Sequence, residues 1–136
     1  MNPSEEQLQR EAQEMSKYYQ IACEKFQEEK FQEAIDWFSK SINVSKYAFN
    51  TSAIVNRGIA RMAVKQYKEA IEDFSNPLVK NNEAERNETD QILHYTNLGY
   101  CYYMIGKINE AKNCYQKVLS IDQYNSDAKY MLSKMH

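Results

Sequence analysis

Apolar residues along this chain recur at intervals of three and four, the spacing that puts side chains on one face of an α-helix. Leu8, Ala12, Met15 and Tyr19 begin a stripe that Tyr18, Ile21, Ala22 and Phe26 continue, so one long first helix is expected to about Glu28. Ser4 stands before it as a cap, with Gln7 three residues on to close a capping box and Glu5 and Glu6 at the positive end of the helix dipole. The first three turns either pack on the helices that follow or form a solvated extension. Phe31, Ala34, Ile35, Phe38 and Ile42 form the second stripe, and Ile54, Gly58 and Met62 the third. The small Ala22 and Ala34 mark where the first two helices approach closely, and Ile35 and Trp37 are expected to bury against the next helical pair, the alternative for Trp37 being the outer surface. Tyr67, Ala70 and Phe74 make a fourth stripe. Pro77 lacks the N–H for a preceding carbonyl, so that helix is expected to kink or end near Asn76. Residues 81–90 are polar and acidic, which predicts a long, mobile loop, part of which could extend a helix end before the next repeat. Two further helices follow, with Gly106 in the turn between them. Asn125, Ser126 and Asp127 then start a last helix carrying Ala128, Tyr130, Met131, Leu132 and Met135. The pattern predicts about seven helices.

Three of these stripes share a signature. Ala34 and Phe38, Ala70 and Phe74, and Ala111 and Tyr115 each stand four apart, within FQEAIDWF, YKEAIEDF and INEAKNCY. The alanines follow one another at intervals of 36 and 41 residues. Residues 95–123 add Leu98-Gly99 and Tyr102 ahead of the third pair, and the whole resembles the tetratricopeptide repeat, W-x2-L-G-x2-Y…A-x3-F, with its period of roughly 34 residues. The resemblance implies an all-α fold: a right-handed α-solenoid of three helix-turn-helix repeats with a C-terminal capping helix. The repeats would span about 15–48, 51–84 and 92–125, the cap 126–135, and residues 1–14 would be an N-terminal helical extension. A terminal cap is what an open stack needs, because each repeat buries its apolar side only against neighbours.

Bulk composition narrows the function. With 136 residues, 11 of them Tyr but only 3 Gly and 2 Pro, the chain is expected to be one helical domain rather than a strand-and-turn fold. A net charge of −2 without a Lys/Arg cluster gives no source for the electrostatic attraction that dominates nucleic-acid binding. No apolar run approaches the length that spans a bilayer, and the acidic, Gln-rich N-terminus is unlike a signal peptide; the expectation is a cytoplasmic protein without membrane insertion. The sequons at Asn43, Asn50 and Asn87 then carry no meaning as glycosylation sites. Cys23, Cys101 and Cys114 are odd in number and lack metal-ligand spacing, so reduced thiols are expected, with no metal and no cofactor. His94, His136 and the scattered acids form no nucleophile–base constellation, and no Gly-rich phosphate loop is present. The chain reads as a binding module rather than an enzyme.

In the resembled family the first helices of successive repeats line a concave groove that takes extended peptides. With Gly99 as the eighth position of its repeat, the groove-facing residues in register are Ser16, Tyr19, Gln20, Cys23 and Phe26; Ser52, Val55, Asn56, Ile59 and Met62; and Leu93, Thr96, Asn97, Tyr100 and Tyr103. This lining is apolar, aromatic and uncharged. Co-chaperones of the family clamp a terminal carboxylate with Lys, Asn and Arg at positions occupied here by Tyr19, Cys23, Asn56, Leu93 and Asn97, and only Asn56 matches. The resemblance thus implies a peptide-binding adaptor without the usual carboxylate clamp. Gln20, Asn56 and Asn97 would pair with the partner's main chain, since an amide offers donor and acceptor together. Tyr19, Ile59, Met62, Tyr100 and Tyr103 would receive its apolar side chains. The alternatives are a self-associating assembly scaffold, separable by mass in solution, and a chaperone holding an apolar unfolded segment.

Overall fold

The computed structural model describes residues 2–81 and 86–135, and among them every regular element is helical. Eight helices are present among the described residues: α1 (Glu5–Gln27), α2 (Phe31–Ile42), α3 (Thr51–Ala63), α4 (Tyr67–Phe74), α5 (Pro77–Asn81), α6 (Glu88–Met104), α7 (Ile108–Ile121) and α8 (Ser126–Lys134). The eighth beyond the expected seven is α5. Pro77 does end α4, but it then opens a short helix of its own, because the first helical position needs no N–H and the fixed φ of proline suits it. Asn76 supports that restart: its side-chain carbonyl accepts the Leu78 N–H at 2.9 Å, and its backbone carbonyl accepts Val79 and Lys80. The expected loop is trimmed at both ends. Asn81 belongs to α5 and Glu88–Asp90 form the first turn of α6, while 82–85 lie outside the described residues.

The chain divides into two compact units, Met1–Gln66 and Tyr67–His136. In the first, α1 and α2 form an antiparallel hairpin and α3 packs on α2. Its core joins Ala22, Ala34, Phe38 and Ala53, with Tyr19, Phe26, Trp37 and Ile42 around them. Ala22 and Ala34 are fully buried, as the close approach of two helices requires. Trp37 is half-buried against this cluster. It turns back onto α1, its ring 5.7 Å from that of Tyr18, with Lys40 Nζ 4.3 Å above it. α1 is tied to α2 at Met15, which is buried and whose carbonyl accepts the Ser41 hydroxyl at 2.8 Å. Ser4 caps the Gln7 N–H at 3.1 Å, but Gln7 does not close a capping box; its amide donates to Glu11 at 3.1 Å instead. Ala12, expected on the apolar face, is exposed.

In the second unit α6 and α7 form the hairpin, α4 lies on α6, and α8 covers α7. Ala111, Tyr115, Val118, Ala128 and Met135 make its core, joined by Tyr102, Tyr103, Met131 and Leu132. Tyr130 is the departure from the expected capping face: it is 62% exposed. Gly99 earns its place by contact, since a Cβ there would meet Tyr115 Cε2 at 2.9 Å and Cys114 Cβ at 3.1 Å. Side chains of Asn50, Asn87 and Asn125 cap α3, α6 and α8, so two of the three sequon asparagines have a backbone role.

Candidate functional site

In the first unit the groove-register residues fall on α1 and α3. Tyr19, Cys23, Val55, Asn56, Ile59 and Met62 are half-buried, and Gln20 is exposed. Tyr19 and Asn56 meet: Asn56 Nδ2 donates to the Tyr19 hydroxyl at 3.0 Å, bridging the two helices. The Tyr19 ring is seated against Phe38, 5.8 Å between centroids, so its position follows from the core. Burial raises the Tyr19 pKa above the ordinary tyrosine value, and interaction with Cys23 adds to this while hydrogen bonds from Asn56 and Ser52 oppose it. The phenol is neutral at physiological pH, as an unshifted tyrosine also is. The arrangement is a small polar cluster of hydroxyl, amide and thiol framed by Val55, Ile59 and Met62. Ser52, in the same register on α3, belongs to it through its hydrogen bond with Tyr19.

In the second unit the register residues share α6. Leu93 is 51% exposed and Tyr100 37%, while Asn97 and Tyr103 are half-buried. Tyr100 meets Tyr67 of α4 edge-on at 5.9 Å, and burial followed by the hydrogen bond to Tyr100 raises the Tyr67 pKa. Lys134 of α8 places its Nζ 5.6 Å from the Tyr103 ring and 5.2 Å from that of Tyr130. Tyr67 and Lys134 thus extend this aromatic face. Neither is visible from the register of one repeat, because each comes from a helix that tertiary packing brings alongside. His94 packs against Phe74 and Tyr95; His136 lies outside the described residues. Cys101 and Cys114 are buried thiols, pushed up by burial to about 12 and about 11. No group of His, Cys, Asp and Glu among the described residues has the makings of a metal site.

Helical hairpins with Ala and an aromatic four apart on the second helix, and a small residue where the helices cross, are the structure of one repeat type. Two family profiles described as Tetratricopeptide repeat match the chain, over residues 18–47 and 93–125. Residues 18–47 and 93–125 are tetratricopeptide repeats. Heat shock protein STI1 of Saccharomyces cerevisiae is 29% identical over 119 residues, 88% of this chain but 19% of that protein, so the chain spans about a fifth of the curated relative it matches. Among solved structures, the second tetratricopeptide domain of human RPAP3 in complex with the HSP70 peptide SGPTIEEVD is similar at TM-score 0.70 and 23% identity, covering 92% of this chain and 97% of that one. PcrH, of Pseudomonas aeruginosa, in complex with the chaperone binding region of PopB, is similar at TM-score 0.63 and 13% identity over 89% and 90% of the two chains. These likenesses establish the α-solenoid fold of helix-turn-helix repeats. Such repeats are protein-interaction modules rather than enzymes, and no helix among the described residues is long and apolar enough to cross a membrane.

Proposed function

We propose that this chain is an adaptor whose first-helix faces take an extended peptide segment of a partner protein, and that it does so without a carboxylate clamp. One observation carries the reading: the register residues of α1, α3 and α6 present amides, aromatic rings and aliphatic side chains, with no Lys or Arg among them. A buried terminal carboxylate needs charge-assisted donors, each contributing on the order of 1.5–3 kcal/mol. Neutral amides suit a main chain instead, and Tyr19, Ile59, Met62, Tyr100 and Tyr103 offer apolar contact to the side chains between. Similarity to RPAP3 and STI1 supports partner binding by this fold, but their HSP70 or heat-shock association is not carried over to a chain lacking the cationic residues. Residues 15–136 are assigned to the repeat domain and 1–14 to an extension. The free thiols suit a reducing, cytoplasmic setting.

Affinity capture from source-cell lysate with wild type and the Asn56→Ala/Asn97→Ala variant side by side is the first test. Captured partners are then reduced to the shortest binding peptide and titrated with free and amidated C-termini. The expected result is a partner lost on the variant, a peptide that binds at least as tightly when amidated as with a free C-terminus, and a stability change of about 1 kcal/mol from the lost Tyr19 bond. Binding that vanishes on amidation would overturn the reading. Similarity to PcrH bound to a segment of PopB favours a second reading, a chaperone holding an apolar segment, which predicts binding to many unrelated apolar peptides.

A further inference from the structure

We infer that the hydrogen bond between Tyr19 and Asn56 makes this face of the first unit select a neutral peptide bond of its ligand over a carboxylate. The inference rests on the peptide-binding reading above and specifies the chemistry of one of its contacts. A carboxamide carries two N–H donors and a carbonyl acceptor. Tyr19 Oη takes one donor at 3.0 Å, which pins the amide and leaves Asn56 one N–H and Oδ1. The phenol is held in place by its ring contact with Phe38, a side chain that is itself 1% exposed. That phenol is neutral at physiological pH, as an ordinary tyrosine is, so it brings no charge to the face. The nearest cation along α3, Arg57, directs Nη1 to Ser39 of α2 at 3.1 Å. What remains on Asn56 is one donor beside one acceptor, the complement of the C=O and N–H that an extended chain presents. A carboxylate has only acceptors. It would gain one bond, face the Oδ1 lone pairs, and find no positive charge on the residues assigned to this face.

Tyr19 is accordingly a positioning residue, acting through Asn56, and the test reads selectivity rather than affinity alone. The probes are an acetylated pentapeptide of alternating leucine and serine with an amidated C-terminus and the same peptide with a free carboxylate. Each is titrated against the full chain while the Asn56 side-chain amide signal is followed by 15N NMR. Wild type is expected to bind the amidated form about fivefold tighter or more, with the Asn56 signal moving. Tyr19→Phe releases the second donor, and the ratio is expected to fall to about one with the fold intact by circular dichroism; Asn56→Ala is expected to weaken the amidated form and erase the preference. A wild-type preference for the free acid would overturn both this inference and the absence of a clamp. A preference that survives Tyr19→Phe, or an Asn56 signal that neither probe moves while partner peptides still bind, would overturn the inference alone. Silence of that signal toward probes and partner peptides alike would overturn both.

Discussion

Three turns in this chain are closed by a residue in the left-handed region: Glu29 at φ 61°, Lys65 at φ 65° and Gly106 at φ 83°. Each sits one place past the cap of a first helix, and the same two bonds recur. Glu29 N–H reaches Phe26 O and Lys30 N–H reaches Lys25 O; Lys65 and Gln66 repeat this on Met62 and Arg61, and Gly106 and Lys107 on Tyr103 and Tyr102. Only the third uses glycine, which adopts this conformation without the Cβ penalty of roughly 1–2 kcal/mol. Lys65→Gly is expected to gain about 1 kcal/mol in urea denaturation, and Gly106→Ala to lose about the same, since nothing lies within 4 Å of its would-be Cβ and the cost is purely conformational. Gly99→Ala fails for the opposite reason. Its Cβ would press on Tyr115, which is 1% exposed and has nowhere to move, so a loss of about 1–3 kcal/mol is expected in the same assay.

At the scale of elements, α8 shows why the last repeat cannot end at Ile121. Ala111, Tyr115 and Val118 of α7 form their buried cluster together with Ala128 and Met135 from the terminal segment. Deleting residues 124–136 is expected to replace cooperative unfolding of this unit with a broad transition and to raise binding of an apolar dye, measured by calorimetry and fluorescence. The start of α8 depends on Asn125, whose side chain accepts the Ala128 N–H at 2.9 Å. The helices themselves were largely legible from their spacing. Phe31–Ile42 runs as its stripe does, because a β-branched or aromatic residue every third or fourth place leaves one apolar face to bury. The exceptions have local causes. Pro77 restarts a helix as well as ending one. Ala12 and Tyr130 keep the periodicity of a stripe but are exposed, with no helix among the described residues covering them.

For the molecule as a whole, the buried acids that matter are thiols and phenols. Folding raises the pKa of Cys101 from the ordinary 9.0 to about 12 and of Cys114 to about 11, and lifts Tyr115 as well, in each case chiefly by burial. The folded chain then holds these protons where the unfolded chain has released them. Stability is full below about pH 9 and falls as pH rises from there through 11 to 12. The midpoint of thermal unfolding is expected to hold steady to pH 8.5 or so and to decline above it, and a Cys101→Ala/Cys114→Ala variant is expected to show a shallower decline.

What the amino-acid sequence determined by itself is the periodic part: where helices run, that the last pair turns on Gly106, and that small residues mark the crossings. Those features are local, fixed by the 3.6-residue turn and by side-chain volume. The candidate faces were legible only as a register, because equivalent positions of a repeat share a direction. Tertiary structure decided what the register residues do. It joined Asn56 to Tyr19 across 37 positions of sequence, brought Tyr67 and Lys134 beside the tyrosines of α6, and turned Trp37 back onto Tyr18. Such pairings depend on helices distant in sequence meeting at a set angle and height, and no spacing along one helix encodes them.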